Sequence, residues 1–340
     1  MASLPTLLVL ALVSTAVIWW GSTRLERAAE SLSAHYGLPD LVHGAVVVAV
    51  GSSFPELSSA VLATLLHGSF DLGVGAIVGS AVFNVLVIPA ASALAARERT
   101  LDANRDLVYK EAQFYMLSVA VLLITFAFGV IYYPVVDGRL TGTVTRPLAA
   151  IPLALYGVYV FIQYQDTSDY VVDRPEDIDV VRAWGLLALS LAIIVVAVEG
   201  LVTAAIGFGE AFGTPSFIWG LTVIAAGTSL PDAVVSVRAA KRDRHVTSLA
   251  NVLGSNVFDL LVAVPAGVLV AGDAVVSFAA AVPMMAFLTF ATLALFFTMR
   301  TELSVSNREA VGLLTVYAAF VGWLIAETLG VVALLPGAAT

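Results

Sequence analysis

VHGAVVVAVGSSFPE (42–56) and IWGLTVIAAGTSLPD (218–232) align without a gap. Each is an apolar stretch closing on paired hydroxyls, a proline and an acid, Glu56 in the first and Asp232 in the second. A carboxylate in hydrocarbon costs about 3 kcal/mol on insertion scales, so one retained there points to function. Two at matched places point to one shared cation site. A second pair of motifs follows each stretch: GSAVFN (79–84) answers GSNVFD (254–259) after a one-residue difference in spacing. The chain is therefore built from an internal repeat.

The surroundings of these motifs set the fold class. The 340 residues are 60% hydrophobic and 12% charged, with a mean hydropathy of +0.97, too apolar for a soluble globule. Apolar runs repeatedly exceed the roughly 18 residues that span a bilayer. Ten spans are read: 4–30, 40–66, 72–95, 107–132, 147–164, 182–210, 216–238, 247–270, 277–298 and 309–335. All should be helices, because lipid satisfies no free backbone groups and the chain lacks the short alternating segments of a membrane barrel. Five spans per half turn the second copy upside down relative to the first, an arrangement typical of secondary transporters. The expectation is an all-α polytopic membrane protein of ten transmembrane helices in two inverted five-helix repeats. Residues 1–165 form the first, 166–181 an acidic cytoplasmic connection, and 182–340 the second.

Charge placement tests this layout independently of hydropathy. With the N-terminus outside, of the 16 basic residues only Arg139 and Arg146 fall at outer ends, a bias that predicts N-out, C-out topology in the cell membrane. The first span lacks a basic n-region and a small-residue cleavage site, so it is read as a retained helix. The net charge of −9 and pI near 4.8 offer no basic patch to a nucleic acid. Asp166, Asp169, Asp173, Glu176, Asp177 and Asp179 cluster in the connection and read as a solvated loop. With no cysteine there is neither a disulfide nor a thiolate ligand.

Pro55 and Pro231 should each remove a helical hydrogen bond and free carbonyls near Gly51 and Gly227. Unwound backbone at membrane depth survives where it lines a cavity. Ser52 and Ser53 precede Glu56 by four and three residues, as Thr228 and Ser229 precede Asp232, and such spacings share a helix face. Ser80 likewise precedes Asn84 by four, and Ser255 precedes Asp259 by four. The set is all oxygen, which suits hard cations such as sodium, calcium or magnesium over zinc, copper or iron. Calcium tolerates a flexible cage of carboxylates and carbonyls better than magnesium does.

GSSFPE with DLGVGAIVGSAVFN, and GTSLPD with NVLGSNVFD, resemble the two alpha repeats of the cation/calcium exchanger superfamily, specifically its sodium/calcium exchangers. The motifs cover residues 40–95 and 216–270, and the ten-span layout extends the match along the chain. The resemblance implies an antiporter, not an enzyme, without catalytic residues or cofactor, whose partners are the bilayer and the transported calcium and sodium ions. It implies that Glu56 and Asp232 bind calcium, with backbone oxygens near Ser52 and Thr228. It implies sodium sites from Ser53, Ser80, Ser229, Ser255 and carbonyls near Ala49 and Ala225, with Asn84 and Asp259 beside them. It also implies that spans 1 and 6 move against spans 2, 3, 7 and 8. Asp259 closes GSNVFD as in the potassium-dependent branch, so potassium is a third candidate ion. Some prokaryotic relatives carry glutamate where Asp232 stands, and proton-coupled members carry a different sequence around the first acid.

Other residues have plainer readings. Gly75 and Gly79 form a small-xxx-small pair suited to helix packing. Asn84 stands equally as ligand or interhelical hydrogen-bond partner. Glu199 has no acidic counterpart in the first half and is read as facing a water-filled gate, outside the site. His35, His43, His67 and His245 sit near span ends as interfacial residues, and Trp19 and Trp20 as packing or anchoring residues. A calcium/proton exchanger and a passive cation channel are the competing functions; a pore needs no paired inverted repeat. No signal in the chain specifies an oligomeric state.

Overall fold

A computed structural model describes residues 3–36, 49–105, 107–135, 140–167 and 178–332. Its long helices are α1 (Leu4–His35), α4 (Phe70–Ala95), α5 (Leu107–Tyr132), α6 (Arg146–Thr167), α7 (Val180–Phe212), α8 (Ser216–Lys241), α9 (His245–Ala271), α10 (Phe278–Arg300) and α11 (Asn307–Thr328). Among the described residues these nine are long and apolar enough to cross a membrane. The expected second span is represented by α2 (Ala49–Ser52) and α3 (Phe54–Leu65), its part before residue 49 lying outside the described residues. The end of the last span beyond residue 332, His43 and the acids at 169, 173, 176 and 177 also lie outside them. Asp179 ends the connection as the N-cap of α7, its carboxylate accepting from Arg182 N at 3.0 Å. Such a cap satisfies one of the helix's free amides.

Four short strands show how the halves are oriented. β1 (Thr100–Asp102) and β3 (Asp273–Ser277) follow the third spans of the two halves, and β2 (Thr141–Thr145) and β4 (Ser304–Ser306) follow the fourth. β1 pairs with β4 and β2 with β3, both antiparallel. Successive spans end on opposite faces of a membrane. A loop after the third span of one half can reach a loop after the fourth span of the other only if the halves point in opposite directions. The two ribbons thus report the inverted repeat directly.

The helix breaks differ from the expectation. In the first half the chain is interrupted at Ser53, and Pro55 falls in the first turn of α3, where its missing amide would have had no helical partner. In the second half Pro231 lies inside a continuous helix, Ala225–Lys241, preceded by a widened π turn at Gly220–Ile224. No unwinding occurs at Gly227, which corrects the symmetric picture of two broken helices. A second π turn, Asp259–Ala263, opens just before Pro265. Such turns accommodate displaced backbone bonds and recur at functional sites.

α4 is buried on nearly all sides, packed against α3, α8, α9, α10 and α11. Its approach to α8 depends on the small pair: a methyl at Gly75 would come within 2.7 Å of Phe217 O, and one at Gly79 within 2.7 Å of Leu221 Cα. The packing reading of both glycines holds. Leu8, Val9, Leu12, Phe161 and Val196, exposed on α1, α6 and α7, are among the side chains placed to meet lipid. Trp19 and Trp20 are also exposed, and Arg24 lies 3.6 Å over the Trp20 ring.

Candidate cation site

The two halves meet where the α2–α3 break, α4, α8 and α9 converge. Glu56 is 1% exposed, and Asp232 and Asp259 are 0% exposed. Ser52, Ser53, Ser80, Asn84, Thr228, Ser229 and Ser255 are all fully buried with them. Nothing in hydrocarbon would drive these groups together singly; the helix crossings bring them there.

Contacts run between the repeats. Ser229 Oγ donates to Ser80 Oγ at 2.7 Å, and Ser80 Oγ donates onward to Glu56 Oε1 at 3.4 Å. Ser52 Oγ and Ser255 Oγ lie 3.3 Å apart. Asn84 Nδ2 donates to Asp232 Oδ2 at 3.5 Å and to Asn256 Oδ1 at 3.0 Å. Thr228 stands beside Glu56, and Ser53 beside Asp259, which faces both other acids. The Thr228 hydroxyl donates to Ile224 O at 3.1 Å, with Ala225 O at 3.4 Å. Ala49 opens α2. Asn84, left even between two roles in the sequence, makes interhelical hydrogen bonds while keeping its Oδ1 free.

The contacts to carboxylates, 3.4 and 3.5 Å, are long, while those among the neutral groups are as short as 2.7 Å. Glu56 Oε2, Asp232 Oδ1, both Asp259 oxygens, Asn84 Oδ1 and Ser53 Oγ are buried without a hydrogen-bond partner. Among the described residues no basic side chain pairs with any of the three acids. Buried charge without partners is expensive, and acceptors without donors are satisfied by cations. Among those residues no three acidic, histidine or cysteine side chains meet tightly enough to cage a metal alone. Hydroxyls, amides and carbonyls therefore complete any coordination shell, as a hard cation requires.

Two asparagines join the site that sequence reasoning passed over. Asn256 bridges Asn84 and the Ala81 carbonyl, the latter at 3.3 Å, and Asn251 faces Asp232 while donating to Ser236 at 3.1 Å. Asn256 was marked by the one exchange of an apolar for a polar residue between GSAVFN and GSNVFD, where Ala81 is its counterpart. Tyr115 of α5, beside Asp259 and Asn256, had no such signal, because its motif-free helix reaches the site only by packing.

The chain is similar to known proteins over most of its length. The model of the family described as "Sodium/calcium exchanger protein" matches residues 6–165 and 182–326. The "Inner membrane protein YrbG" of Escherichia coli is 28% identical over 261 residues, covering 74% of this chain and 76% of that protein. The "Sodium/calcium exchanger MaX1" of Methanosarcina acetivorans is 26% identical over 272 residues, covering 71% and 76%. A solved structure of the sodium-calcium exchanger NCX_Mj, soaked with Na+ and Sr2+, superposes with a TM-score of 0.63 at 22% identity, covering 94% of this chain and 99% of that one. Two inverted repeats, their paired motifs and a family match along nearly the whole chain lead to one assignment: this multi-pass membrane protein belongs to the sodium/calcium exchanger family.

Proposed function

We propose that the chain is a secondary-active antiporter of the cell membrane that exchanges sodium for calcium by alternating access, extruding calcium. The observation that carries this reading is the buried meeting of Glu56 and Asp232, one from each repeat, with carboxylate oxygens left unpartnered. Glu56, Asp232 and oxygens near Ser52 and Thr228 take calcium. Ser53, Ser80, Ser229, Ser255 and carbonyls near Ala49 and Ala225 take sodium, with Asn84 and Asp259 alongside. The two loads compete for the same carboxylates. An empty pocket would carry uncompensated charge through the occluded state, a penalty that suppresses uncoupled cycling. Calcium flux into proteoliposomes under an imposed sodium gradient tests the reading. Flux driven by a pH gradient without sodium would instead select calcium/proton exchange.

The orientation is proposed as N-out and C-out. Because the chain lacks cysteine, a single cysteine at Gly68 should react with an impermeant maleimide from outside and one at Arg242 from inside. Reversed accessibility would invert this assignment.

A further cation is proposed at Asp259. Three ionised acids total −3, so calcium alone leaves −1 in a dry pocket, an imbalance requiring relief. Both Asp259 oxygens lack partners. Potassium is the proposed co-ion: exchanging it for choline at fixed sodium and calcium gradients should lower flux at least about fivefold, and Asp259→Asn should remove that dependence. Flux indifferent to potassium in the parent assigns sodium or a proton to Asp259 instead.

A further inference from the structure

Glu199, left outside the site by its sequence, lies on α7 about 20 Å along the axis from Phe212 at 1.5 Å per residue. Its Oε1 is 2.8 Å from His67 Nε2, at the end of α3, and accepts from the Thr203 hydroxyl at 3.5 Å. Its Oε2 is buried and unpartnered. The His67 and Glu199 side chains are 25% and 34% exposed. An acid that exposed faces water, since lipid would exclude it, and its partner His67 lies in the turn beside Gly68. The pair therefore lies at a water-facing position between α3 and α7, and His67 sits at the end of its span, as its sequence position suggested.

The two helices joined by this contact have different mechanical allegiances. α7 is interlocked with α1: methyls at Gly21, Gly200 and Gly207 would come within 2.8 Å of Ile194, 2.6 Å of Ser14 and 2.7 Å of Leu7 respectively. The pair can shift as a body but cannot easily separate. α3 carries Glu56 and is packed on α4 and the C-terminal part of α9 as well as on α7. A displacement of the α1–α7 pair relative to α3 would stretch the His67–Glu199 contact.

Among the described residues the matched positions do not make this bond: Asp243, opposite His67, pairs with Arg97 at 3.6 Å, and the Thr23 hydroxyl donates to Trp19 O at 2.9 Å. The offset that aligns 42–56 with 218–232 sets Thr23 of α1 opposite Glu199. A bond present on one side only stabilises closure on that side and biases the two access states unequally. We propose that the His67–Glu199 contact is a one-sided latch holding the site closed towards the membrane face that carries Gly68. This rests on the antiport reading, and its test separates the two.

Ser229→Cys serves as a buried reporter in the otherwise cysteine-free chain, labelled in proteoliposomes by an impermeant maleimide applied at the Gly68 face. Adding Glu199→Leu, or His67→Leu, should speed labelling at least fivefold, and exchanging the two residues (His67→Glu with Glu199→His) should restore the slow rate. Labelling unchanged by both leucine substitutions overturns the latch. Separately, His67→Cys/Glu199→Cys bridged by a short, reducible bifunctional thiol reagent should lose calcium flux at least tenfold and recover it on reduction. A bridge that leaves flux unchanged also overturns it. The labelling arm reads access rather than exchange. Accelerated labelling in a chain whose parent shows no sodium-driven flux would uphold the latch and reject the antiporter.

Discussion

Glu56→Gln and Asp232→Asn should each abolish sodium-driven calcium flux while leaving the protein folded. Each substitution keeps shape and removes one of the two charges proposed to balance calcium. Losing one partner of a buried ionic cluster costs about 3–5 kcal/mol, which corresponds to roughly 10²- to 10⁴-fold weaker calcium binding. The fold should tolerate the change because neither acid pairs with a basic side chain among the described residues. An amide at position 56 keeps an acceptor for the Ser80 hydroxyl, now 3.4 Å from Glu56 Oε1. Flux in proteoliposomes, calcium binding by calorimetry and size-exclusion behaviour together check the expectation. A variant transporting at near the parent rate would remove that acid from the site.

Gly79 governs the second large effect, on assembly rather than ion affinity. A methyl there meets Leu221 O, lies 2.7 Å from Leu221 Cα and 2.8 Å from Ala225 Cβ. The obstacles are backbone or Cβ atoms, so no rotamer change relieves them. Overpacking of this kind costs about 1–3 kcal/mol. Ser80 is the next residue, so parting α4 from α8 would also break the 2.7 Å bond from Ser229. Gly79→Ala should lower thermal stability and flux together, and Gly79→Leu should fail to give monodisperse protein. Gly157→Ala is the control, since nothing lies within 4 Å of a methyl there. A Gly79→Ala protein that melts with the parent would contradict the close α4–α8 approach.

Much of the architecture was written in local chemistry. Span length, basic residues at span ends and the gapless match of 42–56 to 218–232 fix helices, their number per half and the inversion, because hydrocarbon leaves the backbone no alternative. The acids at 56 and 232 were legible for a related reason: a carboxylate inside an apolar run has no inexpensive bland explanation. Spacing also marked Ser52, Ser80, Thr228 and Ser255 on their helix faces, although Ser80 and Thr228 stand beside Glu56, and Ser52 and Ser255 beside Asp232, rather than the partners their spacing gave them.

Tertiary structure alone decided how those faces meet. Symmetric prolines predicted symmetric breaks, yet Pro55 opens a new helix while Pro231 is carried inside α8, downstream of a π turn. Whether a proline interrupts a helix depends on what neighbouring helices press against it, which no local motif records. Tyr115 and Asn251 reach the site through packing, and His67 finds Glu199 across 132 positions of sequence. Sequence by itself determined which groups are too costly to bury without a purpose, because that cost is a property of each residue in its own helix. The partners each group finds are a property of helix crossings, set where small residues such as Gly79 let backbones approach, and these only the folded chain decides.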